Sequence, residues 1–397
     1  GKPVLIRRYT VQFMDYASVL WKQHHPTLLY AETSMGEVIK QQLAEGISLE
    51  QSWGRLKSER PLICLGLGES RTSFYDFLLW YVDRFDGAFS LDYNENSYQL
   101  SSKKAGNGQV ASFRDIEIER FEVRLPETSR YHERVLNAST EASKKLDVQR
   151  DYGVDGVFQD VLLRTPIASE VDDRKDLESR RLKTPDPELD LSYKRYPSAP
   201  FWPGTTVKLR EGSFSAELLP VGRTYRCYRV ELGGQANPKE PATVLDSPHI
   251  KYDLAMSSAW ESDGDPVVKL PPFSDPRYPV IVEGKIICDM GEEGDRSYMT
   301  FKDDRTSQHF YKVHVPLWNR QIMVPFAPHF VPGHFYLPAY KDSRVLLALY
   351  FDHAEILRYL DWGADVQLPL ESQGNHLLFG KNKTSETSAK HVYVDTK

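Results

Sequence analysis

From Ser34 to Gly46 the apolar positions Met35, Val38, Ile39 and Leu43 recur at helical spacing. Ser34 and Glu37 stand as a capping box in front of them, and Gly46 closes the pattern, so the segment is expected to be a short amphipathic helix. A stronger stripe follows: Phe74, Phe77, Leu78, Tyr81, Val82 and Phe85 share one helix face, with Ser73 placed to cap it and Gly87 to stop it. Directly afterwards "AFSLDY", "NEN" and "SYQL" read as strand, turn and strand. The opening run "VLIRRYTVQF" and the later "IEIERFEVRL" are further strand patterns. "SEVDDRKDLESRRL" is expected to be a third helix, with Ser169 and Asp172 as its capping pair and "DDRKDLESRR" as a solvated face laced with ion pairs four residues apart.

Proline then interrupts the pattern. "TPDPELDLSYKRYPSAPFWPG" carries Pro185, Pro187, Pro197, Pro200 and Pro203 and is expected to be an ordered loop. "TTVKL" and "TYRCYRVEL" resume as strands, and "GGQANPKEPATVLDSPH" and "WESDGDPVVKLPPFSDPRYP" form a second break. From Pro279 onward "VIVEGKIICDM", "SYMTFKD", "HFYKVHVPL", "RQIMVPF", "SRVLLALYF" and "EILRYLDW" follow closely, with "GHFYLP" as a further strand before the last two. Five or six short antiparallel strands at this spacing suit a small closed barrel of the OB type. The fold class is therefore mainly β with a few helices (α+β).

A length of 397 residues exceeds one ordinary core, and three domains are expected. Aromatic residues make up 12% of the chain and favour strands. The formal net charge of −6 lacks the cationic excess that neutralises phosphate, which argues against a nucleic-acid partner. Cys64, Cys227 and Cys288 lie far apart in apolar runs, which fits buried free thiols rather than a disulfide framework or a metal site. No apolar run has the length of a membrane helix, and no stable membrane insertion is expected. The start, Gly1-Lys2-Pro3, leads straight into a strand, as in an internal fragment of a longer protein.

Motifs that carry chemistry are sparse. Of the eleven histidines, His309 and His314 are five apart in a strand pattern and fall on opposite faces, while His329 and His334 span Pro332 and Gly333. His132-Glu133 lacks the second histidine of H-E-x-x-H. Asp289, Glu292, Glu293 and Asp295 in "CDMGEEGD" miss the calcium-loop register and read as a hairpin turn. "LGLGES" lacks the third glycine of a dinucleotide fingerprint, and G-x-S-x-G does not occur. Carboxylates are plentiful, yet spacing singles out no pair for glycosidase chemistry. No catalytic, cofactor-binding or metal residue is assigned, and no cofactor is expected.

Taken in order, several segments resemble the hub-and-spike proteins of contractile injection machines, in particular the VgrG-type protein of type VI secretion and the phage tail hub with its spike base. "RRYTVQFMDYASVLWKQHHPTLLYAETSMGEVIKQQLAEGI" is similar to the family's strand, linker and capped helix, and "ESRTSFYDFLLWYVDRFDGAFSLDYNENSYQL" to its S-x-x-D-F helix leading into a glycine and a hairpin. "APFWPGTTVKL" with "LLPVGRTYRCYRVEL" resembles a second hub barrel, and "VIVEGKII", "YKVHVPLW" and "GHFYLPAYKDSRVLLALY" resemble the OB domain at the spike base. The resemblance implies two hub β-barrel-like domains followed by an OB-fold barrel. Residues 1–112 would be the C-terminal part of the first hub barrel with two helices, 113–272 the second hub barrel, 273–365 the OB domain, and 366–397 a linker to an absent β-helical spike. It further implies a non-enzymatic homotrimer that meets a tube ring protein (Hcp-like), a spike tip protein (PAAR-like), baseplate proteins and effectors. Such a protein is cytoplasmic when assembled on the baseplate and secreted or injected on firing.

Two other readings compete. In one, the last barrel binds carbohydrate or nucleic acid through Tyr298, Phe310, Tyr311 and Trp318, although Asp289, Glu292, Glu293, Asp303 and Asp304 oppose a polyanion. In the other, the chain belongs to a phage-type spike whose hydrolase domain lies outside it.

Overall fold

The computed structural model describes residues 14–93, 95–104, 110–111, 115–139, 142–165, 167–208, 224–237, 251–292, 297–302, 308–325, 339–361, 374–381 and 386–392. The strand expected at 4–13, the one expected at 333–338, His329 and His334, and the acidic Glu293, Asp295, Asp303 and Asp304 lie outside these residues. The chain is mainly β with a few short helices and divides into two compact units. One comprises residues 1–15, 46–53 and 81–272, the other residues 16–45, 54–80 and 273–397.

In the second of these units, the strand Val280–Ile287 pairs antiparallel with His309–Val315 on one side and with Arg344–Leu349 on the other. Arg320–Pro325 extends the sheet beyond His309–Val315, and Ala354–Asp361 extends it beyond Arg344–Leu349. Five main strands thus stand in the spatial order third, second, first, fourth, fifth, as in a partly open five-stranded Greek-key barrel. No ladder joins the third to the fifth among the described residues, so the closed barrel expected from strand count is an open sheet there. Alternation turns Val280, Ile286, Tyr311, Val313, Ile322, Val324, Val345 and Leu347 into one core. Gly284 sits where a Cβ would stand 2.6 Å from Val313 and 2.7 Å from Leu347, so the crossing of these strands requires glycine.

The same core receives residues from much earlier in the chain. Thr27–Ser34 pairs antiparallel with Glu59–Gly66 and delivers Leu29, Leu62 and Cys64 to it. Three hydrogen bonds fix the arrangement: Cys64 N–H to Phe351 O at 2.9 Å, Tyr278 O–H to Cys64 O at 2.7 Å and Trp318 Nε1–H to Thr27 O at 3.0 Å. The helix Met35–Gln41 is capped as expected, Ser34 Oγ accepting from Glu37 N at 3.3 Å. It ends earlier than the sequence suggests, at Gln41, and Gly46 (φ +87°) belongs to a separate turn. The cause is tertiary: Trp21 Nε1 donates to Gln42 O, and the Gln42 side chain bonds to Tyr30 and His24.

In the first unit a six-stranded sheet runs Val110–Ala111, Thr206–Lys208, Thr224–Asn237, Lys251–Ser262, Glu188–Tyr193, Ile118–Arg124. Leu189, Leu191, Tyr193, Val207, Tyr225, Cys227 and Trp260 form its core. Glu188–Tyr193 lies inside the proline-rich stretch expected to be a loop. Its period-2 apolar residues prevail because Pro185, Pro187 and Pro197 all fall outside the ladder. The breaks expected at 233–249 and 260–279 are likewise narrower, since Gly233-Gly234 and Trp260–Ser262 are carried within one long antiparallel hairpin. Among the described residues the unit also holds two three-stranded sheets: Ala88–Asp92 with Ser97–Ser101 and Ser48–Gln51, and Lys144–Val148 with His132–Asn137 and Phe158–Leu163.

The helix Phe74–Arg84 begins as expected: Ser73 Oγ accepts from Asp76 N at 3.1 Å and donates to Asp76 Oδ2 at 2.7 Å. Its end is a Schellman motif, with Gly87 N bonded to Val82 O and Asp86 N to Asp83 O. The left-handed residue is Asp86 (φ +58°) rather than the glycine. The third helix, Ala168–Arg181, corrects the capping expectation. Ser169 and Asp172 lie inside it, the N-cap is Ile167, and Thr165 supplies the local bonds by accepting from Ile167 N and donating to Glu170. Asp172 is engaged instead by Lys144.

Candidate functional site

Alternation along His132–Asn137 sends Glu133, Val135 and Asn137 to one face of their sheet. The parallel neighbour Phe158–Leu163 sets Gln159 beside Glu133 and Val161 beside Val135. On the helix Ala168–Arg181, Val171, Arg174, Glu178 and Arg181 recur at spacings of three and four residues, and Val171 and Glu178 are buried. The run read from sequence as a solvated face is therefore partly inward-facing. Glu178 is only 2% exposed, held by Arg174 Nη2 at 2.5 Å and Arg181 Nη1 at 3.3 Å.

These elements, the Schellman turn at Asp83–Gly87 and the segment 267–270 border a cleft of about 300 Å³. Glu133 is 7% exposed, and its Oε2 has no hydrogen-bond partner among the described residues. Burial, first, and the adjacent Glu178 push its carboxyl up to about 7, with Arg181 and Arg150 acting in the opposite direction. The geometry suits holding a proton or accepting a donor group. Sequence spacing missed this pair because its members lie on a strand and a helix far apart in the chain; the pattern Arg174, Glu178, Arg181 was the one available signal.

A second charged cluster is built on strands of the six-stranded sheet, from Arg226, Glu261 and Glu188. Arg226 Nη2 and Lys104 Nζ meet the two oxygens of Glu261 at 2.7 and 2.8 Å, and Lys269 Nζ reaches Glu188 Oε1 at 2.7 Å. Asp265 accepts from the backbone N–H groups of Asp186 and Val267. Burial is the largest influence on Lys104 and lowers its pKa, whereas Glu188 is held below the usual carboxylate range because Lys269 and Tyr228 outweigh its own desolvation. This cluster fastens the segment after Ser262 to the sheet.

The residues weighed from sequence fall elsewhere. The three thiols are free and buried, and burial pushes Cys64 and Cys227 up to about 12, the opposite of an activated thiolate. His132 is buried, its Nδ1 accepting from Arg150 N at 3.1 Å, and points away from the Glu133 face. Of the aromatics on the last sheet, Tyr311 is in the core, accepting from Ala339 N, and Trp318 is committed to Thr27 O. Tyr298 is exposed.

No protein-family model matches the sequence, and no curated protein matches it. Among solved structures, a chain of the lidded Francisella PdpA–VgrG complex has the same fold, with a TM-score of 0.69 at 12% identity over 95% of this chain and 60% of that one. The lidless complex gives a TM-score of 0.66 at 12% identity over 94% and 73%. An E. coli protein, c3393, described as a type VI secretion component with structural similarity to the T4 tail proteins gp27 and gp5, gives 0.43 at 10% identity over 86% and 76%. The chain thus spans 60% of the length of the chain it matches in the lidded complex. The fold expected from the sequence resemblance and the fold of the PdpA–VgrG complex chains agree.

Proposed function

We propose that the chain is a structural hub of a contractile injection machine of the type VI secretion kind. The observation that carries this reading is the shared fold, extending over 95% of the chain, with a chain of the PdpA–VgrG complex. In this role residues 113–272 supply the second hub element and 273–365 the base of the spike. Three copies assemble, a tube ring protein (Hcp-like) and a spike tip protein (PAAR-like) flank them, and effectors travel with the assembly. The hub sits on a cytoplasmic baseplate and leaves the cell on firing. The role is non-catalytic.

Deleting the gene and assaying the culture medium for the tube ring protein tests the reading. Loss of the ring protein from the medium, restored by complementation, is expected, with light scattering of the purified full-length protein giving a trimer. Undiminished export, or a closed dimer, overturns it.

A further inference from the structure

Glu133 lines the cleft. Glu133 Oε2 is an acceptor without a hydrogen-bond donor among the described residues, on a side chain 7% exposed. Gln159 and Val161, its neighbours on the parallel strand, line the same cleft. An orphaned acceptor in such a place costs free energy unless a donor arrives.

Charge indicates what kind of donor. With Glu133 ionised, the described lining carries four carboxylates, Asp83, Asp86, Glu133 and Glu178, against three cations, Arg174, Arg181 and Lys183, a formal balance of 3 − 4 = −1. Each cation already has an anion: Arg174 and Arg181 lie on Glu178, and Lys183 lies on Asp86. Arg174 Nε also lacks a hydrogen-bond partner, but its guanidinium is charge-paired through Nη2, so the uncompensated charge is on the carboxylate side. Arg181, Lys183 and Arg180 cover Asp83 and Asp86, so Glu133 is the lining carboxylate that these cations leave unpaired, and a monovalent cation there balances it. A metal ion is poorly served, since no group of three or more metal-ligating side chains occurs among the described residues. Val161, Val267, Val268 and Leu270 supply apolar wall in the same cleft, which a hydrocarbon stem covers and a bare ion does not.

We propose that this cleft binds an aliphatic ammonium group, with the nitrogen donating to Glu133 Oε2 and the alkyl stem lying along Val161, Val267 and Leu270. The chemistry is that of a lysyl side chain presented by a protein partner or of a small free amine. Binding displaces the proton that Glu133 otherwise holds below about pH 7; Arg181 and Arg150 favour the ionised carboxylate without hydrogen-bonding its Oε2.

Titration calorimetry on the full chain, in buffers of differing ionisation enthalpy, tests this with n-butylamine, Nα-acetyl-lysine methylamide and, as a neutral match, n-butanol. The expected result is amine binding that strengthens about tenfold per pH unit up to about pH 7 and then levels, releasing close to one proton per amine on the acidic side. Butanol gives no heat. Acetyl-lysine methylamide binding at least as tightly as butylamine supports a lysyl partner; its exclusion while butylamine still binds supports a free amine. Glu133→Gln abolishes binding, and Val161→Phe, which fills the stem position, weakens it at least tenfold. If Glu133→Gln fails to fold by circular dichroism, the proton count on the unaltered chain and the Val161→Phe result decide. Absence of amine heat, equal heat from butanol, pH-independent affinity, or undiminished binding to a folded Glu133→Gln variant overturns the proposal.

Discussion

Gly87 lies flat against the indole of Trp53: a Cβ on that glycine would stand 2.6 Å from two ring carbons. The ring is itself buried and meets Tyr81 edge-on at 5.7 Å, so it has little room to yield. Gly87→Ala is therefore expected to destabilise the fold by about 1–3 kcal/mol, although the left-handed conformation at this helix end belongs to Asp86. Urea unfolding checks it: the midpoint falls while the slope stays constant.

Glu133 predicts a pH dependence. Its carboxyl is raised from 4.5 to about 7 in the folded chain, so folding takes up a proton there. The stabilisation from that proton is complete below the unfolded value and is lost as pH rises through the folded one. Melting temperature should consequently decline between pH 4.5 and 7 through this group, and Glu133→Gln should remove that part of the decline. Parallel pH profiles for the two proteins contradict the assignment.

Glu261 joins Arg226, Lys104 and Lys269 at 3% exposure. Glu261→Ala leaves buried cations without their shared anion and is expected to cost about 3–5 kcal/mol. Replacing Arg226 and Glu261 together with apolar residues of similar volume is expected to recover part of the loss. A double-mutant cycle in urea reads both effects.

The two serine caps differ in a measurable way. Ser73 is 2% exposed and bonds reciprocally with Asp76, whereas Ser34 is 9% exposed and makes a single longer bond to Glu37 N. Ser73→Ala should cost about 1–2 kcal/mol and Ser34→Ala about 0.5–1. The reverse order in thermal melts overturns this ranking of the caps.

What could be read from the sequence was local. Ser34 with Glu37, Ser73 with Asp76 and the alternating Val280–Ile287 strand declare themselves because each signal is confined to a few neighbouring residues. Glu188–Tyr193 was hidden by flanking prolines, and Lys251–Ser262 by a glycine pair in its partner strand, since both depend on ladders formed with distant residues. Thr165 displaced Ser169 as the organiser of a helix start through a bond that spacing rules do not contain. Glu178 was the hardest to place. Its charge argues for solvent, and only the arginines one turn away and the strand beneath reveal why it is buried.

The core that joins Leu29, Leu62 and Cys64 to Val280–Ile356 also sets an order of events during synthesis. Residues 81–272, nearly all of the other unit, leave the ribosome between the two halves of this core, and domains commonly fold as they emerge. The strand pair Thr27–Ser34 and Glu59–Gly66 must wait with an uncovered apolar face until the last strands are made. That long-range closure makes this unit the slower to fold, and its waiting strands are the place where a chaperone or a stray sheet edge competes with the native partner.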